Sequence, residues 1–234
     1  MKVAALLVAV VALCGCESTQ SKSARLERSA KRSLHEKGLV IKQPSRDVAV
    51  GATTVLHDEN GTAAVIELRN RSARSLVGVP VAFSVRDGAR KKLFANDAPG
   101  LDTSLVSAGS IAPNATLEWI NDQVTLDGDP RDVVAEAGAE KREGPHALPE
   151  INVDSVALQD DGSAAGKVTN RSAVEQLRLV VYVIARRDGK VVAAGRAIVP
   201  RLKPGASATF TAFPIGDPTG AKLEASAPPT VVAP

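Results

Sequence analysis

The chain has 234 residues, of which 44% are hydrophobic and 24% charged, which suits a globular protein of one or two domains. Aromatic residues make up only 3%, and this excludes a wide stacking surface for sugars or single-stranded nucleic acid. The excess positive charge lies in residues 17–47, whereas residues 48–234 hold 20 basic and 22 acidic residues. Because the body of the chain is nearly neutral, we expect no nucleic-acid partner.

The first sixteen residues combine one basic residue with a short apolar run. Lys2 precedes the run Val3–Leu13, which is too short to span a bilayer, since this takes about 20 residues, but has the length of a secretory h-region. The run ends in Leu13-Cys14-Gly15-Cys16, which resembles a bacterial lipobox. The resemblance implies that residues 1–15 are a signal peptide, that Cys16 is acylated, and that the protein is anchored on the extracytoplasmic face of a bacterial membrane in the cell envelope. The alternative is an ordinary secretory signal with incidental cysteines.

Residues 16–47 then predict a polar, basic tether. Leu26, Ala30 and Leu34 recur every four residues, which favours a marginal helix over Ser23–Lys37. The basic side chains could contact anionic lipid headgroups, but a solvated spacer is the favoured interpretation.

The rest of the chain repeats itself with a period near 100 residues. Five sequence blocks recur in the same order, among them Asn70-Arg71-Ser72-Ala73 as Asn170-Arg171-Ser172-Ala173, and Arg86-Asp87-Gly88 as Arg187-Asp188-Gly189. This period is too long for a solenoid and predicts two copies of one domain, residues 48–138 and 151–226. A charged, proline-containing linker at 139–150 should allow relative motion of the copies, and a proline-rich flexible tail follows at 227–234.

Each copy predicts short strands that are rich in Val, Thr and Ile and bounded by turn residues. The clearest alternation of apolar and polar residues is at Val79, Val81, Phe83 and Val85. The predicted strands are Val48–Leu56, Thr62–Arg69, Val77–Arg86, Lys91–Phe94, Ala115–Asn121, Val133–Ala137, Asn152–Leu158, Ala164–Thr169, Leu177–Arg186, Val191–Val199, Ser207–Phe213 and Lys222–Ala225. The fold class expected from this spacing is all-β, with two tandem β-sandwiches after the signal peptide and the partly helical tether.

The second copy resembles the bacterial FxLYD-type immunoglobulin-like domains. The residues that carry the resemblance are Gly166-Lys167-Val168-Thr169-Asn170, the strand Val180–Ala185, the turn Asp188-Gly189, and Leu202-Lys203-Pro204-Gly205 before Phe210. The namesake segment is degraded to Val181-Tyr182-Val183, and the first copy departs further. The resemblance implies immunoglobulin-like sandwiches over about residues 48–226, and it says little about function because this fold hosts many roles.

Residues that could carry chemistry are sparse. His35, His57 and His146 fall in the tether, a hairpin turn and the linker, and no two of them share a metal-ligand spacing. We therefore expect no metal, no cofactor and no catalytic residues. Three formal N-glycosylation sequons, Asn70-Arg71-Ser72, Asn114-Ala115-Thr116 and Asn170-Arg171-Ser172, suggest turn positions, where an Asn side chain can bond its own backbone.

The first copy carries about ten extra residues near Asn96–Ser107, and this insertion is the candidate partner-binding loop. Long loops on rigid scaffolds often bind partners. In the alternative, favoured interpretation, its leucines fold back and cover the edge of the sandwich. The candidate residues are Asn96, Asp97, Pro99, Gly100, Leu101 and Leu105.

Two functions remain open on these observations. The first is a non-catalytic interaction or structural module that is anchored to the membrane through the lipid on Cys16 and binds an envelope protein or polymer. The second is a small-ligand-binding protein or an accessory subunit of an envelope transporter or enzyme, and it would need a concave pocket.

Overall fold

The structure, a computed structural model, describes residues 38–232. The predicted signal peptide, Cys16 and the helix over Ser23–Lys37 lie outside the described residues. The described part is all-β and contains fifteen strands and one 3₁₀ turn. The strands are β1 (Val48–Asp58), β2 (Gly61–Asn70), β3 (Leu76–Arg86), β4 (Lys92–Ala95), β5 (Ser107–Ile111), β6 (Thr116–Val124), β7 (Asp132–Ala137), β8 (Arg142–Glu143), β9 (Ile151–Leu158), β10 (Ala164–Asn170), β11 (Gln176–Arg187), β12 (Lys190–Leu202), β13 (Ser207–Ala212), β14 (Ile215–Gly216) and β15 (Lys222–Ser226), and the 3₁₀ turn is Thr103–Leu105.

All twelve predicted strands are confirmed, with ends that shift by a few residues. The alternation in β3 is confirmed as well, because Val79, Val81, Phe83 and Val85 are all buried while the residues between them are partly exposed. Three strands were not predicted: the two-residue strands β8 and β14, and strand β5. Its sequence, Ser107-Ala108-Gly109-Ser110-Ile111, has a single β-branched residue and therefore gives a weak strand signal.

The N-terminal half of the described chain (β1 to β8) holds two antiparallel sheets that enclose a core. One sheet has the order β1-β2-β6, and the other is built around β3, which pairs with β5 and β8 along its first part and with β4 and β7 along its second. The rings of Phe83 in β3 and Trp119 in β6 meet edge to face between the sheets, with centroids 5.9 Å apart. These sheets are typical of a β-sandwich.

The C-terminal half (β9 to β15) repeats this pairing pattern. In one sheet, β10 lies between β9 and β13, just as β2 lies between β1 and β6. In the other sheet, β11 pairs with β15 on one side and with β12 on the other. In the same way, β3 pairs with β7 on one side and with β4 and β5 on the other. The long strand β12 thus corresponds to two short strands, β4 and β5. The predicted insertion lies between those two strands and interrupts what is a single strand in the second repeat.

The two halves share hydrophobic core. Leu179, Val181 and Val183 of β11 are buried among residues of the C-terminal half. The alternate residues Val180, Tyr182 and Ile184 point the other way and belong to the cluster that contains Trp119 and the rest of the N-terminal core. Strand β11 is therefore buried on both faces.

This packing differs from the expectation of two domains that move about a linker. The outer face of the β1-β2-β6 sheet lies against the outer face of the sheet formed by β11, β12, β14 and β15, with contacts from β12 to β1, β2 and β6. The reason is that both outer faces carry apolar residues, such as Ile120 and Ile184, which are removed from water only when the faces meet.

Candidate functional site

The insertion is a partly buried loop whose ends are fixed in the core. Asn96 and Leu105 are buried, whereas Asp97, Pro99 and Gly100 are exposed and Leu101 is half-buried. The structure thus places the six predicted residues on one loop but exposes only its tip. The burial of Leu105 agrees with the interpretation that leucines of this loop cover the sheet.

Asn96 explains how the chain leaves the sheet without losing backbone hydrogen bonds. Its Oδ1 accepts the backbone N–H of Phe83 at 2.8 Å, and its Nδ2 donates to the carbonyl oxygens of Val81 (2.8 Å) and Leu105 (3.0 Å). The side-chain amide therefore replaces a missing strand residue between β4 and β5. Buried backbone groups need such partners, so Asn96 is a structural residue of the loop.

The end of the insertion contacts the C-terminal half. The carboxylate of Asp102 accepts a hydrogen bond from Arg178 Nη2 at 2.5 Å, and Ser104 Oγ lies 3.1 Å from Arg196 Nη1. Burial raises the pKa of Asp102, but hydrogen bonds from Ser104 and the charge of Arg178 outweigh it and hold this pKa below its ordinary value. Part of the insertion therefore joins the two halves of the protein, a role that the sequence did not suggest.

A buried ion pair joins the two halves. Asp122 of β6 accepts Arg196 Nε at 2.8 Å through Oδ1 and the backbone N–H of Arg196 at 2.9 Å through Oδ2. The Arg196 side chain is 3% exposed and that of Asp122 is 16% exposed. Two charges so far from water persist because each has its partner and a further hydrogen bond.

Two polar contacts extend this interface. Arg186 is paired with Glu118 of the N-terminal half and, at 3.4 Å, with Glu224 of β15. Asp58 Oδ2 accepts the backbone N–H of Gly216 at 2.8 Å. Burial raises the pKa of Asp58, but backbone hydrogen bonds, of which that from Gly216 is the strongest, hold the pKa below its ordinary value.

The C-terminal segment 227–232 packs against both halves, which differs from the expected flexible tail. Gln176 is fully buried, and its side chain accepts the N–H groups of Thr230 (2.9 Å) and Val231 (3.0 Å) and donates to the Val231 carbonyl (2.9 Å). Ser110 Oγ of the N-terminal half donates to the Pro229 carbonyl at 2.7 Å. A proline-rich segment has few donors of its own, and these side chains satisfy its backbone.

Two of the three sequon asparagines, Asn70 and Asn170, have the turn role expected from the sequence. Asn70 and Asn170 are both fully buried. In each repeat the side-chain amide accepts the N–H of the serine two residues on, at 2.9 and 3.0 Å, and donates to backbone carbonyls that include those of residues 74 and 174. These repeated motifs therefore hold the turn between consecutive strands.

A small cleft opens where the halves separate next to the interface. This apolar cleft has a volume of about 360 Å³ and is walled by the C-terminal half, the N-terminal half, the end of the insertion and the C-terminal segment. The lining residues are Val77, Gly78, Asp102, Thr103, Ser104, Ser107, Gly109, Lys141, Leu177, Arg178, Val180, Tyr182, Ile198, Pro228 and Thr230. Tyr182 borders this cleft and also a wider, open groove of about 1010 Å³ with carboxylates at its rim.

The cleft residues were not found from the sequence. The one signal that could have found them is the uninterrupted apolar run Leu179–Ala185, since such a run is typical of a strand buried on both faces. A strand of this kind requires a second layer, and the cleft lies where that layer ends.

Metal-ligating side chains are not clustered within residues 38–232. No group of three His, Cys, Asp or Glu side chains in this range could hold a metal ion. His57 Nδ1 lies 2.7 Å from Thr62 Oγ1 across the β1–β2 hairpin. In the same part of the chain, no helix has the length and apolar character needed to cross a membrane.

Comparison with protein families and with curated protein sequences found no match. No protein-family model matches the chain, and no curated protein sequence is significantly similar to it.

Proposed function

We propose that the protein is a lipid-anchored lipoprotein of a bacterial cell envelope and acts as a non-catalytic interaction or structural module. The observation that carries the proposal is Leu13-Cys14-Gly15-Cys16 at the end of an apolar run. Acylation of Cys16 would attach the chain to the membrane. The residues between Cys16 and Gln43 would hold the β-structured body away from it, because residues 43–45 are already hydrogen-bonded to residues 137–139 of that body.

We further propose that the body consists of two immunoglobulin-like sandwiches related to the FxLYD type. The repeated strand pairing of the two halves supports this assignment, as do the equivalent buried asparagines Asn70 and Asn170. The exposed tip of the insertion, from Asp97 to Gly100, is the surface that we propose for an envelope protein or polymer.

Metabolic labelling with an alkyne fatty acid tests the anchor in a bacterial host. We expect Cys16→Ser to lose both the label and the detergent-phase partitioning of the wild type. Cys14→Ser is the matched control and should keep both, because Leu13 is a poor residue to precede the modified cysteine. Equal labelling of the two variants, or no label on the wild type, would overturn the lipoprotein assignment.

In-cell crosslinking followed by mass spectrometry tests the interaction. The comparison is between the wild type and a variant with Asp97→Lys and Pro99→Lys, which changes the exposed tip and leaves Asn96 and Leu105 in place. A partner that crosslinks to the wild type and not to the variant supports the tip as the binding surface. A partner that crosslinks equally to both would exclude the tip.

The second candidate function, a small-ligand-binding or accessory role, is favoured by the apolar cleft. Its volume of about 360 Å³ is within the range of ligand pockets, about 300–1,000 Å³.

A further inference from the structure

We propose that the apolar cleft binds a single-chain amphiphile with an anionic headgroup, such as a fatty acid or a lysophospholipid. The inference rests on the second candidate function above and names its ligand class. Three features of the cleft carry it: an uncovered apolar wall, a tyrosine hydroxyl without a hydrogen-bond partner in the described residues, and an excess of positive charge among the lining residues.

The apolar wall belongs to the sheet of the C-terminal half. Leu177 and Ile198 are 43% and 39% exposed, although Val180 beside them is buried in the shared core. Across the cleft, Gly78 and Gly109 contribute no side chains. Large apolar side chains in a concave site are what an acyl chain buries, and this burial is the main source of its binding free energy.

Tyr182 supplies the hydroxyl. The residue is 2% exposed, lines the cleft, and forms no side-chain hydrogen bond with any residue between 38 and 232. Burial raises the pKa of its phenol, so that the hydroxyl stays protonated and able to donate at physiological pH. An oxygen atom of a ligand in the cleft could accept a hydrogen bond from this hydroxyl.

The charged residues of the lining determine the sign of the headgroup. They are Lys141, Arg178 and Asp102. Arg178 is paired with Asp102, while Lys141 forms no ion pair within the described residues. Lys141 lines the cleft, and the aliphatic part of its side chain packs along the backbone of Gly78: a Cβ built on Gly78 would lie 3.4 Å from the Cβ and the Cδ of Lys141. One unneutralised positive charge favours a carboxylate or a phosphate over a neutral headgroup.

Fluorescence titration with 11-(dansylamino)undecanoic acid tests the proposal. The protein is the full chain with Cys16→Ser, so that no acyl group of its own competes. We expect saturable binding at one site, displaced by dodecanoate and by a lysophosphatidylglycerol, and displaced at least tenfold less effectively by dodecanol. Whichever of dodecanoate and the lysophospholipid displaces the probe at the lower concentration shows whether a free fatty acid or a membrane-derived lipid is the preferred ligand.

Two variants with matched controls locate the site. Ile198→Glu introduces a carboxylate into the apolar wall and should weaken probe binding at least tenfold. Leu158→Glu is its control, because Leu158 is 36% exposed on β9 and lies outside the cleft lining. Lys141→Glu should weaken dodecanoate binding and spare dodecanol, whereas Lys203→Glu, at an exposed position away from the cleft, should change neither.

Absence of saturable binding would overturn the proposal, as would equal binding by the Ile198→Glu and Leu158→Glu variants. If Lys141→Glu left the affinity for dodecanoate unchanged, the assignment of an anionic headgroup would be overturned. A negative result here would leave the anchoring and crosslinking tests unaffected, because those depend on Cys16 and on the tip of the insertion.

Discussion

Replacement of Asp122 by alanine tests whether the two halves form one body. The substitution leaves the guanidinium of Arg196 buried, at 3% exposure, without the carboxylate that accepts its Nε and its backbone N–H. Removal of one partner of a buried pair costs about 3–5 kcal/mol. Arg196 keeps the hydroxyl of Ser104 at 3.1 Å, so we expect the lower end of this range, about 3 kcal/mol.

Equilibrium urea denaturation is the assay, with two probes. Trp119, the one tryptophan of the sequence, is buried in the N-terminal half and reports that half by fluorescence, while far-ultraviolet circular dichroism reports all strands. The two transitions of the wild type should coincide, because the halves share core residues.

The control is Asp129→Ala. Asp129 is paired with Arg131 at 2.5 Å, but the two side chains are 69% and 66% exposed, and such a pair contributes less than about 1 kcal/mol. A loss below 1 kcal/mol for Asp122→Ala, equal to that of the control, would refute the buried interface. Adding Arg196→Met to Asp122→Ala should restore part of the lost stability, since it removes the unpaired charge.

Three further predictions concern stability. Asn170→Ala should lower the free energy of unfolding by about 2 kcal/mol, measured by urea denaturation, because it leaves buried backbone groups of the turn without partners; a loss below 0.5 kcal/mol would contradict the turn role. Gly166→Ala should lower the melting temperature, because a Cβ there would lie 2.2 Å from the backbone oxygen of Ser155 and 2.5 Å from the ring of Phe210, and an unchanged melting temperature would show that both groups can move away. Asp58→Asn should reduce stability at pH 7 and leave the protein less sensitive to acid. Because the pKa of Asp58 is lowered in the folded state, its carboxylate contributes to the free energy of unfolding above the unfolded pKa, near 3.8. This contribution is lost as the pH falls through the folded pKa. An equal loss of stability with falling pH in the wild type and the Asp58→Asn variant would contradict this last prediction.

Much of the strand content could be predicted because strand signals are local. In β3 the alternation of Val79, Val81, Phe83 and Val85 with smaller or polar residues gives the period of two that a half-buried strand requires. The turn role of Asn170 was equally local, since its amide bonds residues two and four positions away. Strand β5 escaped prediction because its small residues are held by pairing with β3, which is distant in sequence.

The candidate loop shows where sequence reasoning reaches its limit. Repeat comparison located the insertion, and the favoured role of its leucines as a cover suits the buried Leu105. The sequence does not show that Asp102 contacts Arg178 and that Ser104 contacts Arg196. A polar loop residue gives the same sequence signal whether or not another element packs against it.

The amino-acid sequence by itself determined twelve of the strands, the internal repeat and the position of the insertion. Each of these depends on residues that are close in the chain or on similarity between two of its segments. Only the tertiary structure decided that the outer faces of the two repeats meet, that residues 227–232 pack beside Gln176, and that a cleft remains next to Tyr182. These features depend on pairs such as Asp122 and Arg196, which are 74 positions apart, and local periodicity reports that a face is buried but not which surface covers it.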